Sequence, residues 1–190
     1  IKKIETEIKD LFIIEPKIFE DSRGYFFESY NYNTFKENGI DNNFVQDNHS
    51  KSIKGVLRGL HLQTGEYSQA KLIQVLKGAI LDIVVDLREN SKTFGRYFSI
   101  ELNEENKKML FIPRKFAHGF LTLEDNTEIF YKCDNFYNPK SEVGIVWNDI
   151  DLNIEWNLQK YGIKENKLII SEKDKKNISF KEYKKINSIE

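Results

Sequence analysis

Three histidines are the side chains of this chain best suited to proton transfer: His49, His61 and His118. Imidazole takes up and returns a proton near neutral pH more readily than any other side chain. His61 lies in the segment Arg58–Gln63, which also offers a guanidinium and an amide and follows shortly after the polar segment Phe44–Ser50. Any one histidine alone is more often a hydrogen-bonded structural residue. Their scarcity and their clustering with other reactive groups favour an active site.

The spacing of residues along the strand-like runs predicts which side chains face the interior of a barrel. Alternate residues of a strand point to the same face, so Lys71 shares a face with Ile73 and Val75, and Tyr131 likewise lies on an apolar face. Taken singly, Lys71 is better explained as an exposed lysine, and Tyr131 as a core aromatic with a satisfied hydroxyl. Together with His61 they predict a polar site in an apolar cavity, because buried polar groups are costly without partners.

Three further polar segments contain candidate ligand contacts. In Asp21–Glu28, Arg23 could bind a phosphate bidentately, and in Pro113–Phe120, His118 could donate to a ligand. Ser171–Asp174 offers a carboxylate that could orient a histidine. Taken alone, the Arg23 segment is better explained as a surface turn and Ser171–Asp174 as a solvated loop, whereas His118 could equally close a turn. None of the three segments identifies a site without the others.

Composition restricts the class of protein. A length of 190 residues predicts one domain, 1–190, with a full hydrophobic core. With 29 basic and 30 acidic side chains, the chain lacks the net positive charge typical of nucleic-acid-binding proteins. A local basic pocket that binds phosphate is still compatible with this balance. A single cysteine, Cys133, allows no internal disulfide and favours a reducing cytoplasm. No apolar run approaches the ~20 residues that span a bilayer, and the first residues do not resemble a signal peptide.

Short strand-like runs rich in β-branched and aromatic residues recur along the chain and predict an all-β sandwich or barrel. The runs are Leu11–Ile14, Tyr25–Ser29, Val56–Leu62, Lys71–Leu76, Ile80–Leu87, Tyr97–Leu102, Met109–Ile112, Gly119–Leu123, Glu128–Cys133 and Val143–Trp147. In Ile80–Leu87, the period of two predicts that Asp82 and Asp86 share one face with Ile80 and Val84. Short helices are predicted only at Tyr32–Asn38 and Phe180–Ile189, and the lysine-rich tail around the second is expected to be a solvated surface.

A metal site has to be weighed, since small β-barrels often bind metals through histidine. Such a site typically places two histidines one residue apart, with a carboxylate a few positions later. Here His61 is followed by Leu62 and Gln63, so this pairing is missing. His49 and His118 could converge with His61 in space, but no second-shell pattern supports it. The sequence therefore predicts no metal.

Several segments, spread over nearly the whole chain, resemble the dTDP-4-dehydrorhamnose 3,5-epimerases of the cupin superfamily. The matching stretches are Asp21–Tyr30, Phe44–Gln63, Gln69–Leu72, Val84–Arg88, Ser91–Gly95, Ile112–Phe120, Trp147–Asp149 and Ser171–Asp174. The resemblance implies a cupin jelly-roll β-barrel, a homodimer with strands exchanged across its interface, and an isomerase that needs no metal or organic cofactor. It also implies the substrate dTDP-4-dehydro-6-deoxy-glucose and no nucleic acid or membrane partner.

Carried onto this chain, the resemblance implies catalytic roles for a few residues. His61 resembles the catalytic base, Tyr131 the proton donor on the opposite sugar face, and Lys71 the lysine near the substrate ketone. Asp174 resembles the carboxylate paired with the base, although Asp82 is an alternative because it is also on a strand.

The resemblance also implies a set of substrate-binding positions. These are Arg23, Phe26, Glu28, Gln46, Asp47, Asn48, Arg58, His118, Tyr137, Glu142 and Lys173. Within the set, Phe26 is expected to line the sugar pocket, and Tyr137 to stack on thymine.

The residue types suit the chemistry on independent grounds. C3 and C5 both flank the C4 ketone, so removing a proton from either carbon gives an enolate. His61 would remove the proton, Lys71 would stabilise the oxygen as its charge develops, and Tyr131 would return a proton from the other face. The chain has no Gly-rich dinucleotide loop, which agrees with chemistry that needs no redox cofactor.

Two local features depart from this picture. Arg58 and His61 fall on opposite faces of a regular strand, so either Gly59 marks a bulge that re-aims one of them or Arg58 serves a neighbouring part of the site. Before Phe116 the chain has Arg114-Lys115, where the family is expected to have a charged residue followed by glycine. The second departure concerns the turn more than the chemistry.

The sequence leaves other functions open. A monoepimerase acting at C3 only would keep the same base and acid, so no motif separates it from the double epimerase. A ketoisomerase on the same sugar nucleotide, a catalytically silent sugar-nucleotide-binding cupin and a metal-dependent cupin oxygenase are weaker alternatives. The presence of His61, Lys71 and Tyr131 together argues against the silent binder.

Overall fold

The computed structural model describes residues 1–187, in which thirteen β-strands and two α-helices form the main regular structure. The strands are β1 (Lys2–Glu5), β2 (Phe12–Glu15), β3 (Phe19–Asp21), β4 (Gly24–Phe26), β5 (Gln46–Ser52), β6 (Leu57–Gln63), β7 (Lys71–Lys77), β8 (Ala79–Asp86), β9 (Tyr97–Asn103), β10 (Met109–Ile112), β11 (Phe116–Thr122), β12 (Thr127–Cys133) and β13 (Glu142–Gly144). The helices are α1 (Tyr32–Glu37) and α2 (Phe180–Ile186). Within residues 1–187, no helix has both the length and the apolarity needed to cross a bilayer.

Two antiparallel sheets form the walls of a barrel. The six-stranded sheet has the order β1-β2-β10-β7-β12-β5, and the five-stranded sheet has the order β13-β6-β11-β8-β9. Their inner faces share one apolar cluster, to which β7 contributes Ile73 and Val75 and β8 contributes Ile80 and Val84. Removing this apolar surface from water is the main favourable contribution to folding. The architecture confirms the all-β barrel predicted from the strand pattern and the jelly-roll fold implied by the family resemblance.

Strand β8 is buried along its whole length, because both of its faces are covered. Ile80 and Val84 belong to the cluster inside the barrel, whereas Leu81 and Ile83 belong to a cluster outside it. The two faces expected from the period of two are thus confirmed. Asp86 ends the strand, where Ser91 donates to it at 2.6 Å, and its buried carboxylate is therefore satisfied.

The outer face of each sheet is covered by chain from the ends of the sequence. Trp156, Phe180 and Tyr183 pack on the five-stranded sheet. Phe35 and Ile40, in and after α1, pack on the six-stranded sheet.

Capping residues define where the two helices begin. The Asn31 side chain accepts hydrogen bonds from the first-turn amides of α1. Ser179 and Glu182 form a reciprocal capping box at the start of α2.

The structure contains strands β1 and β3, which were not among the predicted runs, and β11 begins three residues before the predicted run Gly119–Leu123. It differs from the predicted elements in further places. Strand β5 was not among the predicted runs, because its residues are almost entirely polar. The run predicted as Tyr25–Ser29 ends as a strand at Phe26, and the run predicted as Val143–Trp147 ends at Gly144. The end of the helix predicted over Phe180–Ile189 lies outside the described residues.

Candidate active site

A β-bulge in β6 turns Arg58 and His61 toward the same cavity. His118 of β11 is paired with His61, but Phe120 is paired with Arg58, so the register shifts between them. Gly59 lies at this shift with φ +116°, and a Cβ atom there would lie 2.5 Å from the Cα atom of Gly119. Only glycine fits both that conformation and that close approach. On a regular strand Arg58 and His61 would lie on opposite faces. The structure confirms the first of the two explanations given above, a bulge at Gly59 that re-aims one of them.

A cavity of about 490 Å³ lies inside the barrel. Its polar lining comprises Arg58, His61, Lys71, His118, Tyr131, Ser171, Lys173 and Asp174. A second cavity of about 350 Å³ adjoins it, and the side chains that line both are His61, Lys71 and Tyr131. These three residues therefore form the junction of one continuous cleft.

The two sheets place the junction residues on facing walls. His61 is on β6 of the five-stranded sheet, whereas Lys71 and Tyr131 are on β7 and β12 of the six-stranded sheet. In the register of those two strands, Lys71 is opposite Cys133, so Lys71 and Tyr131 are diagonal neighbours. A ring bound between the walls would meet an imidazole on one face and a phenol on the other.

His61 forms its closest contact with Asp174. Nε2 of His61 lies 2.6 Å from Oδ1 of Asp174, a carboxylate that is 4% exposed, and the Gly59 amide donates to the other oxygen at 3.3 Å. Burial raises the pKa of Asp174, but the hydrogen bond and charge of His61, with the Gly59 and Ser171 bonds, outweigh it and leave the pKa below its usual value. With Nε2 held by this carboxylate, Nδ1 is the ring atom left to accept a proton.

The alternative carboxylate, Asp82, pairs with the other cavity histidine. Both of its oxygens lie about 3 Å from Nε2 of His118, at 3.0 and 2.9 Å. Asp82 is fully buried and His118 is 9% exposed, so the pair is a second histidine–carboxylate contact inside the barrel. The structure therefore pairs Asp174, and not Asp82, with His61.

Lys71 points its ammonium group into the cleft. It has no hydrogen bond or ion pair to any other side chain within residues 1–187. Burial lowers the pKa of Lys71, while the charges of Cys133, Asp82 and Glu142 act in the opposite direction. An ammonium group in this position is available to a developing negative charge on a ligand.

Burial also raises the pKa of Tyr131, so its hydroxyl stays protonated well above neutral pH. Burial likewise raises the pKa of Cys133 to about 11, which makes it a poor nucleophile.

Glu142, Tyr137 and Lys173 form a polar group at the edge of the second cavity. The Tyr137 hydroxyl donates to Glu142 at 2.8 Å, and Lys173 forms an ion pair with the same carboxylate oxygen. Burial raises the pKa of Glu142, but the hydrogen bonds from Lys173 and Tyr137 outweigh it, so the pKa lies below its usual value. The other Glu142 oxygen lies 4.0 Å from Nδ1 of His61.

Comparisons with known proteins show which family the chain belongs to. Residues 5–182 match the family model described as dTDP-4-dehydrorhamnose 3,5-epimerase. The chain belongs to this family. A dTDP-4-dehydrorhamnose 3,5-epimerase of Salmonella typhimurium is 53% identical over 154 residues, which are 80% of this chain and 84% of that protein.

Solved structures of the family share the fold over almost the full length. The dTDP-4-dehydrorhamnose 3,5-epimerase of Elizabethkingia anophelis is 52% identical, with a TM-score of 0.89 over 95% of this chain and 97% of that one. The Legionella pneumophila dTDP-6-deoxy-D-glucose-3,5-epimerase, solved in complex with dTDP-4-keto-L-rhamnose, is 43% identical, with a TM-score of 0.87 over 94% and 92%.

The fold brings most of the expected substrate-binding residues to the cleft. Arg58, His118 and Lys173 line the first cavity. Gln46, Asn48, Tyr137 and Glu142 line the second.

Four expected substrate-binding residues lie elsewhere in the single chain. Asp47 faces outward because neighbouring residues of β5 alternate, and it pairs with Lys132 at 2.9 Å. Arg23 and Phe26 belong to the exposed hairpin β3–β4, where Arg23 pairs with Asp21 and Phe26 is 68% exposed. Glu28 follows the hairpin and accepts hydrogen bonds from Asn31 and Thr34.

Some cleft residues were not identified from the sequence. Gln63 and Gln69 line the second cavity, although both lie within stretches that resemble the family. Their position two residues beyond His61 and two before Lys71 was the available signal, since such neighbours share a strand face. Ile169 and Ile170 line the first cavity from a C-terminal segment with no periodic pattern to reveal it.

Lys115 occupies the position before Phe116 where the family is expected to have glycine. Its φ is +67°, a conformation that glycine adopts readily and other residues adopt at a cost. The chain therefore keeps the turn that a glycine would form. Separately, within residues 1–187, no three His, Cys, Asp or Glu side chains are grouped so that they could hold a metal ion.

The lowered pKa of Lys71 predicts how activity depends on pH. As pH rises through that value, which lies below the usual lysine pKa of 10.5, the ammonium loses its charge and proton abstraction should slow. We expect Lys71→Met to remove this alkaline fall and to lower the neutral-pH rate about 10²–10³-fold. The measurement is the rate of solvent deuterium incorporation against pH.

Lys132→Met is the matched control, because Lys132 lies on the outer face of the neighbouring strand and pairs with Asp47. It should keep the wild-type profile. An unchanged alkaline fall in Lys71→Met would assign the titration to another group.

Proposed function

We propose that the chain converts dTDP-4-dehydro-6-deoxy-D-glucose to dTDP-4-dehydro-L-rhamnose by inverting C3 and C5. The observation that carries the proposal is the cleft junction, where His61 on one sheet faces Tyr131 and Lys71 on the other. Relatives about half identical to this chain carry the name of the same epimerase. The chain is therefore an isomerase of dTDP-sugars.

Each inversion requires one proton to leave one face of the sugar and another to arrive on the opposite face. Nδ1 of His61 accepts the proton from the carbon next to the C4 ketone, and the C–H electron pair moves to give an enolate. Lys71 stabilises the enolate oxygen. Tyr131 donates its hydroxyl proton to the opposite face of the carbon. Proton exchange with solvent then restores both groups.

Asp174 supports this sequence without touching the substrate. Its hydrogen bond fixes the His61 ring with Nδ1 toward the cleft and stabilises the imidazolium that forms. Its lowered pKa keeps the carboxylate charged at neutral pH.

The remaining cleft residues are of types that could bind a nucleoside diphosphate. The half-exposed ring of Tyr137 offers a stacking surface to thymine at the second cavity, beside the amide groups of Gln46 and Asn48. Arg58 and Lys173 supply positive charge for the diphosphate.

We also propose that the active form is a homodimer in which the β3–β4 hairpin of one chain reaches the cleft of the other. Among the described residues, 1–187, the two hairpin strands pair only with each other, and Phe19, Tyr25 and Phe26 are each more than half exposed. Exposed apolar groups of this kind mark an interaction surface. Such a dimer would bring Arg23, Phe26 and Glu28 to the substrate and would account for their distance from the cleft in one chain. The single domain over 1–190 and the reducing cytoplasm stay part of the proposal.

Mixing two inactive variants tests the dimer. If Arg23 and His61 of one site come from different chains, co-refolded Arg23→Ala and His61→Ala chains should regain activity. Half of randomly formed dimers contain one chain of each variant. In such a mixed dimer, one of the two sites has both wild-type residues and the other has both substitutions. About a quarter of wild-type activity is therefore expected. No regain in mixed dimers that are demonstrated by mass would place both residues in one chain and contradict the proposed exchange.

Proton NMR in D₂O with dTDP-4-dehydro-6-deoxy-D-glucose tests the reaction. We expect deuterium at both C3 and C5 and formation of the L-rhamnose configuration. Deuterium at C3 alone would support the monoepimerase. Binding of dTDP without exchange at either carbon would support the silent binder and contradict the proposed function.

A further inference from the structure

The loop between β12 and β13, residues 134–141, carries Tyr137 and is held by side chains from other strands. The Tyr137 amide donates to Oε1 of Gln46 at 2.9 Å, and the Asn138 amide donates to Oε1 of Gln63 at 2.9 Å. Two glutamine side-chain carbonyls thus accept hydrogen bonds from the successive backbone N–H groups of Tyr137 and Asn138. We call this stretch, residues 134–141, the β12–β13 loop.

Both ends of the β12–β13 loop are fixed as well. At its start, the Ala70 amide donates to Asp134 at 2.7 Å, and Nε2 of Gln69 donates to the Asn135 carbonyl at 2.7 Å. At its end, the Thr64 amide donates to the Ser141 carbonyl at 2.8 Å. Because both ends are anchored, the two glutamine bonds in the middle determine where the Tyr137 backbone lies.

Gln63 connects this loop to the catalytic base. It lies two residues after His61 on β6, beyond the bulge, so both side chains are on the same face of one strand. Gln63 is 5% exposed and lines the second cavity with His61 and Tyr137. A single rigid strand therefore sets the distance between the base and the segment that carries the aromatic ring.

We propose that Gln63 is a positioning residue, which holds the β12–β13 loop so that Tyr137 meets the nucleotide while His61 meets the sugar. The inference rests on the proposed function for the role of Tyr137. Gln63 itself takes no part in proton transfer. Gln63 acts on nucleotide affinity. A Tyr137 ring that is already ordered in the free protein loses less conformational entropy on binding, so the binding free energy is more favourable.

Removing the Gln63 carbonyl should loosen the loop without altering the proton chemistry. Gln63→Met keeps the length and much of the volume of the side chain but leaves the partly buried Asn138 N–H without its acceptor. We expect the Kd for dTDP, measured by calorimetry, to rise about tenfold. The KM for the dTDP-sugar should rise similarly, while kcat at saturation stays within about twofold of wild type.

Hydrogen exchange gives a second readout that needs no substrate. In the wild type, the amides of Tyr137 and Asn138 should exchange slowly, because both are hydrogen-bonded. In Gln63→Met the Asn138 amide should exchange about tenfold faster or more. Fast exchange of both amides in the wild type would overturn the proposal even if the variant failed to fold.

Gln159→Met is the matched control, because Gln159 is an exposed glutamine that lines neither cavity of the cleft. It should keep wild-type Kd, KM and exchange rates. A Gln63→Met protein with unchanged Kd and KM would overturn the positioning role, as would a fall in kcat alone. Wild-type protein that binds dTDP but does not turn over the dTDP-sugar would instead contradict the proposed function, while the calorimetric test of Gln63 would still stand.

Discussion

His61→Ala should abolish deuterium incorporation at both C3 and C5 while dTDP still binds. Removing the imidazole leaves no group at Nδ1 of the cleft junction to accept the proton, and general-base catalysis commonly contributes about 10²–10⁴-fold. The side chains proposed to contact the nucleotide, including Tyr137 and Asn48, lie in the second cavity and stay in place. We expect an exchange rate at least ~10³-fold lower and a Kd for dTDP close to wild type. Proton NMR in D₂O and calorimetry provide the two measurements.

His49→Ala provides the matched control for this loss. The His49 side chain is 52% exposed on the outward face of β5 and lies 3.4 Å from Glu128, so it does not reach the cleft. Its replacement should leave exchange at both carbons unchanged. If His61→Ala still turned over the substrate, His61 would not be the general base. Loss at one carbon only would mean that a second group, such as the His118–Asp82 pair, serves the other carbon.

Strand periodicity predicted the inner wall of the six-stranded sheet. Lys71, Ile73 and Val75 share the inner face of β7 because the strand is regular, and the same rule places Tyr131 beside them from β12. Regular strands also made the two faces of β8 predictable. Where the backbone keeps its period, alternate residues predict which side chains share the inner wall.

Periodicity could not predict the opposite wall, because the backbone there is irregular. A regular strand separates Arg58 from His61, whereas the bulge at Gly59 unites them. A glycine signals such a bulge but does not say which neighbour is re-aimed. Resemblance to the family indicated Asp174 as the partner of His61, and the structure confirms that pairing. Periodicity alone could not choose between Asp174 and Asp82, since the pairing depends on a C-terminal segment that folds back to the Gly59 amide.

Polar strands and exposed hairpins limited the prediction in another way. Strand β5 has no hydrophobic pattern, since its inner residues Gln46 and Asn48 line a polar cavity rather than a core. Resemblance to the family indicated Arg23 and Phe26 as binding residues, yet the fold of one chain leaves both outside the cleft. In the proposed dimer a second chain brings them to the cleft, and no periodic pattern within one sequence shows where that chain lies.

Tyr131→Phe should separate proton removal from inversion. The substitution removes only the hydroxyl oxygen, so the ring still fills its place on the inner face of β12 and His61 still faces the sugar from the other sheet. The enolate should form, and its carbon should exchange with solvent on the His61 face. Without a donor on the Tyr131 face, the new configuration should appear about 10²-fold more slowly. Deuterium incorporation into recovered substrate, compared with product formation, measures the two steps separately.

Tyr161→Phe is the matched control, because its hydroxyl donates to Glu101 at 3.3 Å and its ring packs on the outer face of the five-stranded sheet. That variant should form product at the wild-type rate. Product formation unchanged in Tyr131→Phe would refute the donor role and require another acid on the six-stranded wall, where Lys71 is the neighbouring candidate. Loss of exchange together with inversion would mean that the phenol is needed for proton removal itself. The separation of the two rates is thus the direct functional consequence of an imidazole and a phenol on facing sheets.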